Sequence, residues 1–205
     1  MSIKFGTDGW RAVISDTFTY NNLRLVAQAI ADYVLNEGQN GRAPEVTIGF
    51  DTRFLSDRYA TEVARVMAGN GIVAWLTRAD APTPAVSYSV VDKQAAAGIM
   101  ITASHNPPRY NGVKLKAGYG GAASPQQARR VEHYLEVAEA QARGPNIMDY
   151  QRALDEGLIR RFDPVWAYYE HLSSLVDLDI ISSGELRVVA DAMYGSGRGC
   201  ICEML

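Results

Sequence analysis

The chain has almost no cysteine, no long apolar run and no excess of charge of either sign, and each shortage removes a class of function. Its only cysteines are Cys200 and Cys202, too few for a disulfide framework or a zinc site. No apolar stretch reaches membrane-spanning length. Met1-Ser2-Ile3-Lys4-Phe5 enters structure at once, without the regions of a signal peptide. A soluble protein in the reducing cytoplasm, with no membrane partner, is the expectation. Lys and Arg number 20 against 23 Asp and Glu, a net charge of −3. The basic residues are also scattered, so nothing argues for a nucleic-acid partner. The glycine-dense run Gly195-Ser196-Gly197-Arg198-Gly199 matches neither the dinucleotide nor the P-loop spacing. Asp177-Leu178-Asp179 has no third acidic partner and reads as no metal site.

What is present is a regular alternation of strand-like and helix-like segments in a chain that is 47% hydrophobic, enough to bury a core. Ile3-Lys4-Phe5 reads as a short strand. Leu23, Val26, Ala27, Ile30 and Val34 recur at helical spacing. Val46–Phe50 and Ile72–Leu76 read as strands around a helix that carries Ala60, Val63, Ala64, Met67 and Ala68 on its apolar face. Thr83-Pro84 predicts a helix start with Thr83 as cap, and Ser56 is placed to cap the helix before it. Ser124-Pro125-Gln126-Gln127 has capping-box spacing. The fold class expected is α/β: a three-layer α/β/α domain over residues 1–140 with a mixed sheet. Residues 141–162 read as a connector. Residues 163–205 read as the incomplete start of a second α/β unit, with one helix around Trp166, Tyr169, Leu172 and Leu175 and one strand over Leu186–Asp191. A single helix and strand cannot enclose a core, so this segment is expected to pair with another chain.

The most informative stretch is Thr102-Ala103-Ser104-His105-Asn106-Pro107, closed by Asn111-Gly112-Val113-Lys114. The apolar run Ala95–Ile101 before it reads as a buried strand, and Pro107-Pro108 end regular structure. Asn111-Gly112 reads as a turn, followed by a half-buried strand over Val113–Lys116 that is expected to run antiparallel. Ser104 therefore sits beyond a strand's carboxyl end, where open α/β sheets place their chemistry. Lys114 lies close enough to fold back, so a hydroxyl, an imidazole and a lysine surround one rigid loop. Taken alone, a serine before prolines also fits an ordinary surface turn.

The segment matches T-A-S-H-N-P-x-x-x-N-G-x-K without a departure and resembles the active-site serine loop of the α-D-phosphohexomutases, the phosphoglucomutase and phosphomannomutase family. Phe5-Gly6-Thr7-Asp8-Gly9-Trp10-Arg11 resembles the family's F-G-T-x-G-x-R loop, whose arginine faces the phosphoserine. Gly49-Phe50-Asp51-Thr52-Arg53 resembles its G-x-D-T-R loop, which supports the serine loop. The resemblance implies that Ser104 carries a phosphoryl group exchanged with hexose phosphates through a hexose 1,6-bisphosphate. Arg11, Lys114 and His105 would then be catalytic, with Gly9, Asp51, Arg53, Asn106 and Asn111 binding phosphate or supporting the site. It also implies one Mg²⁺, for which Ser104 is the only family ligand present, because no D-G-D-x-D-R loop occurs here. Gly195–Gly199 resembles the turn that opens the family's second domain, so the chain is expected to be a fragment. The competing readings are a phosphosugar-binding module without transfer and an assembly element that self-associates through the tail.

Overall fold

The computed structural model describes residues 3–6, 9–38, 44–185 and 187–204. Six strands form one mixed sheet: β1 (Gly9–Val13), β2 (Glu45–Phe50), β3 (Val73–Thr77), β4 (Ala97–Ile101), β5 (Tyr110–Ala117) and β6 (Ile159–Phe162), in the order β1-β5-β4-β2-β3-β6. β4, β2, β3 and β6 run parallel, while β5 runs antiparallel to both β4 and β1. Helices α1 (Tyr20–Tyr33), α2 (Ser56–Gly69) and α4 (Pro125–Ala140) cover one face, and α3 (Thr83–Asp92) covers the other. The arrangement is the expected three-layer α/β/α. Alternation along the strands sorts the faces. Ile48, Ile99 and Leu115 enter the main core with Leu23, Ile30 and Met67, whereas Met100 packs with Val86 of α3.

The caps differ in detail from those expected. Ser124 closes a full capping box with Gln127, as its spacing predicts. At α3 the cap position is Pro82 rather than Thr83, with no side-chain cap bond. At α2 it is Leu55, at φ +62°, and the Ser56 hydroxyl is engaged at the site described below. Ile3–Phe5 forms no strand; the first strand is Gly9–Val13, which begins within the Phe5–Arg11 segment and runs past it. Thr7 and Asp8 of that segment lie outside the described residues. Asn111-Gly112 is not a turn but part of β5, which pairs on both edges and so extends past the local turn signal.

The largest departure concerns residues 141–162. The segment read as a connector carries α5 (Tyr150–Asp155) and then β6, which adds to the sheet beside β3. Its path is fixed by polar straps that local sequence does not reveal. Arg143 pairs with Asp32, the Asn146 amide donates to Gln28 Oε1 at 2.8 Å, and Gln28 and Asn70 bond one another. Met148 N donates to the Arg65 carbonyl at 3.1 Å, while Arg65 Nε donates back to the Met148 carbonyl at 3.0 Å.

Beyond β6, α6 (Val165–Leu175) packs against α3, with the Tyr88 and His171 rings stacked at 4.4 Å. Short helices α7 (Leu178–Ser183) and α8 (Cys200–Met204) follow. The expected strand over Leu186–Asp191 is absent from its described residues, 187–191, which pair with no ladder; β6 already occupies the open edge of β3. The tail meets its own chain at the two-pronged Asp80–Arg198 pair.

The status of β6 is directly testable. Ile159 is 2% exposed within the core, so Ile159→Ala should cost about 2–5 kcal/mol of stability. In a solvated connector the same change would stay within about 0.5 kcal/mol. Chemical denaturation separates the two outcomes.

Candidate active site

β2 and β4 are parallel neighbours, so the loops that leave their carboxyl ends lie side by side. Asp51 N donates to the Ile101 carbonyl at 3.1 Å, joining the two loops at their root. From the first loop, Arg53 reaches into the turn formed by the second. Its Nη2 donates to the carbonyls of Ser104 (2.7 Å) and Asn106 (2.6 Å), and its Nη1 to those of Pro107 (3.0 Å) and Tyr110 (3.1 Å). Only a planar guanidinium offers donors in a fork of this shape. Asp51 braces it from behind: its carboxylate lies 3.4 Å from Arg53 Nε and accepts from Arg53 N and the Ser56 hydroxyl.

The bracing continues into β5. Asn111, fully buried, donates from Nδ2 to Ser56 Oγ at 2.9 Å, and its Oδ1 accepts from Gly112 N. Gly112 itself must lack a side chain. A Cβ there would stand 2.6 Å from the Trp10 carbonyl oxygen and 2.8 Å from that of Thr102. Gly9 is constrained in the same way, with φ +152° and a Cβ position 2.0 Å from the Val113 carbonyl oxygen. Both glycines of the motifs therefore let β1 lie against β5, which makes Gly9 a structural requirement of the site.

Ser104 adopts φ +54°, a left-handed conformation uncommon for a residue with a side chain. Its amide donates to Thr102 Oγ1 at 2.9 Å, its carbonyl is held by Arg53, and its side chain is left exposed. Beside it opens a cavity of about 530 Å³, lined by Asp51, Arg53, Asn106, Thr102 and Thr83 among others, and also by Gly195 and Ser196. The Asn106 side-chain oxygen is buried without a hydrogen-bond partner among the described residues.

Of the residues singled out from sequence, Ser104, Asn106, Asp51 and Arg53 meet at this cavity, and Asn111 supports it from below. His105 is exposed and outside the cavity lining. Arg11 pairs opposite Gly112, and Lys114 opposite Gly9 and Met100. Alternation puts both on the sheet face of Met100 and Thr102, the face that meets the cavity. Both are partly buried and already partnered within the chain, and neither lines the cavity itself. Sequence reading gave Thr102 and Ser56 no role at the site. The hydroxyl two residues before Ser104 has the spacing of a local side-chain-to-backbone turn and could have been read so. Ser56 could not, because its partners come from 5 and 55 positions away.

The cavity does not by itself suit a divalent metal. Among the described residues no group of three or more His, Cys, Asp or Glu could hold an ion. The nearby carboxylate, Asp51, is committed to Arg53 and Ser56. A serine oxygen alone leaves the octahedral shell of Mg²⁺ without its carboxylates.

Comparison with known proteins bears on the family and the fold. The model of a family described as phosphoglucomutase/phosphomannomutase, alpha/beta/alpha domain I, matches residues 2–142. A phosphoglucomutase of Staphylococcus saprophyticus is 32% identical, covering 99% of this chain and 37% of the relative. A phosphoglucosamine mutase of Limosilactobacillus reuteri is 31% identical, covering 98% and 42%. A crystal structure from Thermus thermophilus, provisionally described as a phosphomannomutase, superposes with a TM-score of 0.84 at 34% identity, covering 100% of this chain and 43% of that one. The chain thus spans well under half the length of these proteins. With its serine turn, Arg53 loop and mixed three-layer sheet, the chain belongs to the phosphoglucomutase/phosphomannomutase family.

Proposed function

We propose that this chain is the phosphoserine-bearing part of a phosphohexomutase, which interconverts hexose 1-phosphates and 6-phosphates through a hexose 1,6-bisphosphate. The observation that carries the reading is the Ser104 turn: an exposed hydroxyl on a left-handed residue, its backbone held by the Arg53 guanidinium, at the carboxyl ends of parallel strands. In this reading the bond from phosphorus to Ser104 Oγ breaks as a free hexose hydroxyl oxygen bonds to phosphorus. The hydroxyl proton passes to Lys114 or His105, and the serine oxygen is reprotonated from the same group. The resulting bisphosphate reorients and returns its other phosphoryl to Ser104, releasing a proton that the sugar oxygen takes up. Such transfer rests on positioning and charge stabilisation more than on covalent chemistry. A phosphoserine carries about −1.5 to −2 charge near neutral pH; Arg11, on the sheet face that meets the cavity, is the cation proposed to offset it, and where His105 takes the proton Lys114 joins it as a second cation. The Mg²⁺ of the resemblance would need ligands that the described residues do not supply, so no step is routed through it. Self-association through the tail finds support in its exposed apolar side chains, Val189, Met193 and Tyr194.

Incubation with glucose 1,6-bisphosphate should add one phosphoryl mass to the peptide bearing Ser104, and Ser104→Ala should abolish it. Labelling that persists in the alanine variant would overturn the assignment. Arg53→Lys replaces the fork by a point charge that cannot serve four carbonyls. It should slow labelling by about 10- to 100-fold with the half-saturating bisphosphate concentration little changed. An equal rate would reduce Arg53 to a surface ion pair. Calorimetry on the unphosphorylated chain should find no tight Mg²⁺ binding; tight binding would reveal an acidic site absent from the geometry above.

A further inference from the structure

The glycine-dense turn Gly195–Gly199 reaches the cavity beside Ser104. Gly195 and Ser196 line the same 530 Å³ space as Ser104, together with Thr102, Thr83 and Asn106. The turn is firmly held there. Arg198 Nη1 and Nη2 donate to the two Asp80 oxygens at 2.8 and 2.7 Å, and Asp80 stands in the loop between β3 and α3. Within the turn, Gly195 N donates to the Ala192 carbonyl at 2.8 Å, and Arg198 N and Nη1 donate to the Gly195 carbonyl. Ser196 also borders a smaller cavity of about 230 Å³ that contains the Asp80–Arg198 pair. Ser196, with a glycine on each side in sequence, is therefore shared by the cavity of Ser104 and by the one that the Asp80–Arg198 pair lines.

We infer that Ser196 is a further binding residue of the Ser104 site, donating its hydroxyl to an oxygen of the phosphoryl group carried there. The inference rests on the proposed phosphoryl exchange and adds to it a contact from beyond the residues matched by the family model, which end at 142. The ligand chemistry is that of a phosphate ester: tetrahedral, anionic and rich in acceptors, which suits a hydroxyl donor next to other hydroxyls. Arg198 acts through the turn as a positioning residue. Its guanidinium is engaged by Asp80, so what it contributes is the placement of Ser196.

The test follows both labelling and binding of glucose 1,6-bisphosphate in the full chain. Ser196→Ala should weaken binding or slow labelling of Ser104 by roughly 10- to 100-fold, the worth of one hydrogen bond to a charged group, with the melting temperature unchanged. Ser196→Thr, which keeps the hydroxyl, should stay within about threefold of the parent. Arg198→Ala should reproduce the loss, and Arg198→Lys should restore part of it. If Ser196→Ala labels and binds like the parent, the inference is overturned while the phosphoserine reading stands. If the parent binds the bisphosphate but is never labelled, transfer fails as a reading and the contact to a carried phosphoryl group falls with it. If the parent neither binds nor is labelled, both are overturned.

Discussion

The site depends on one side chain reading the backbone of a turn. Four carbonyls between Ser104 and Tyr110 point inward to the Arg53 guanidinium. Carbonyls converging on one point repel each other and must find donors, and a planar cation with fixed donors meets that demand from a single position. Charge-assisted hydrogen bonds of this kind contribute about 1.5–3 kcal/mol each, against about 1–3 kcal/mol for the left-handed Ser104. The balance favours a turn that is set before any substrate arrives. The Arg53 side chain is only 14% exposed, so its charge also needs a partner, and Asp51 supplies it.

From that contact the constraints run outward through the sheet. Asp51 is tied to Ser56 and Ser56 to Asn111, so the loops after β2 and β4 and the start of β5 form one polar framework. β5 in turn sets β1, because Gly9 and Gly112 allow backbones to approach where any Cβ would collide. Lys114 and Arg11 thus come from strands of fixed register, and Ser104 from the loop that leaves β4. The chemistry proposed for them depends on the order β1-β5-β4-β2 as much as on the residues. The turn at Gly195–Gly199 extends the framework across the cavity through Asp80, which follows β3.

Most of the first 140 residues were legible because their signals are local. Helical spacing marked α1 and α2, the Ser124 capping box marked α4, and apolar runs marked β2, β3 and β4. The serine loop was legible by its wording. Long-range signals were not. β6 carries two arginines in four residues and looks like a solvated connector, yet β3 needed an edge partner and the Gln28–Asn70–Asn146 straps delivered it. The Val188-Val189 run looks like a strand, but strand propensity without a free ladder leaves those residues exposed. Thr83 and Ser56 have capping chemistry, but Pro82 and Leu55 stand at the cap positions, and the Ser56 hydroxyl donates to Asp51 instead. Arg53 could be ranked from sequence only as support, because the four carbonyls it holds lie 51 to 57 positions away.

The most direct measurement of a turn set by Arg53 is amide hydrogen exchange over residues 104–110 in the free chain. Asn106 N and Tyr110 N donate within the turn, to the Ala103 and Pro107 carbonyls, so both should be protected without any ligand. In Arg53→Ala their protection should fall to that of an open loop, while the amides of β2 and β4 keep theirs. Equal protection of the turn in both proteins would contradict the central role given to Arg53, and so would a turn that is unprotected in the parent.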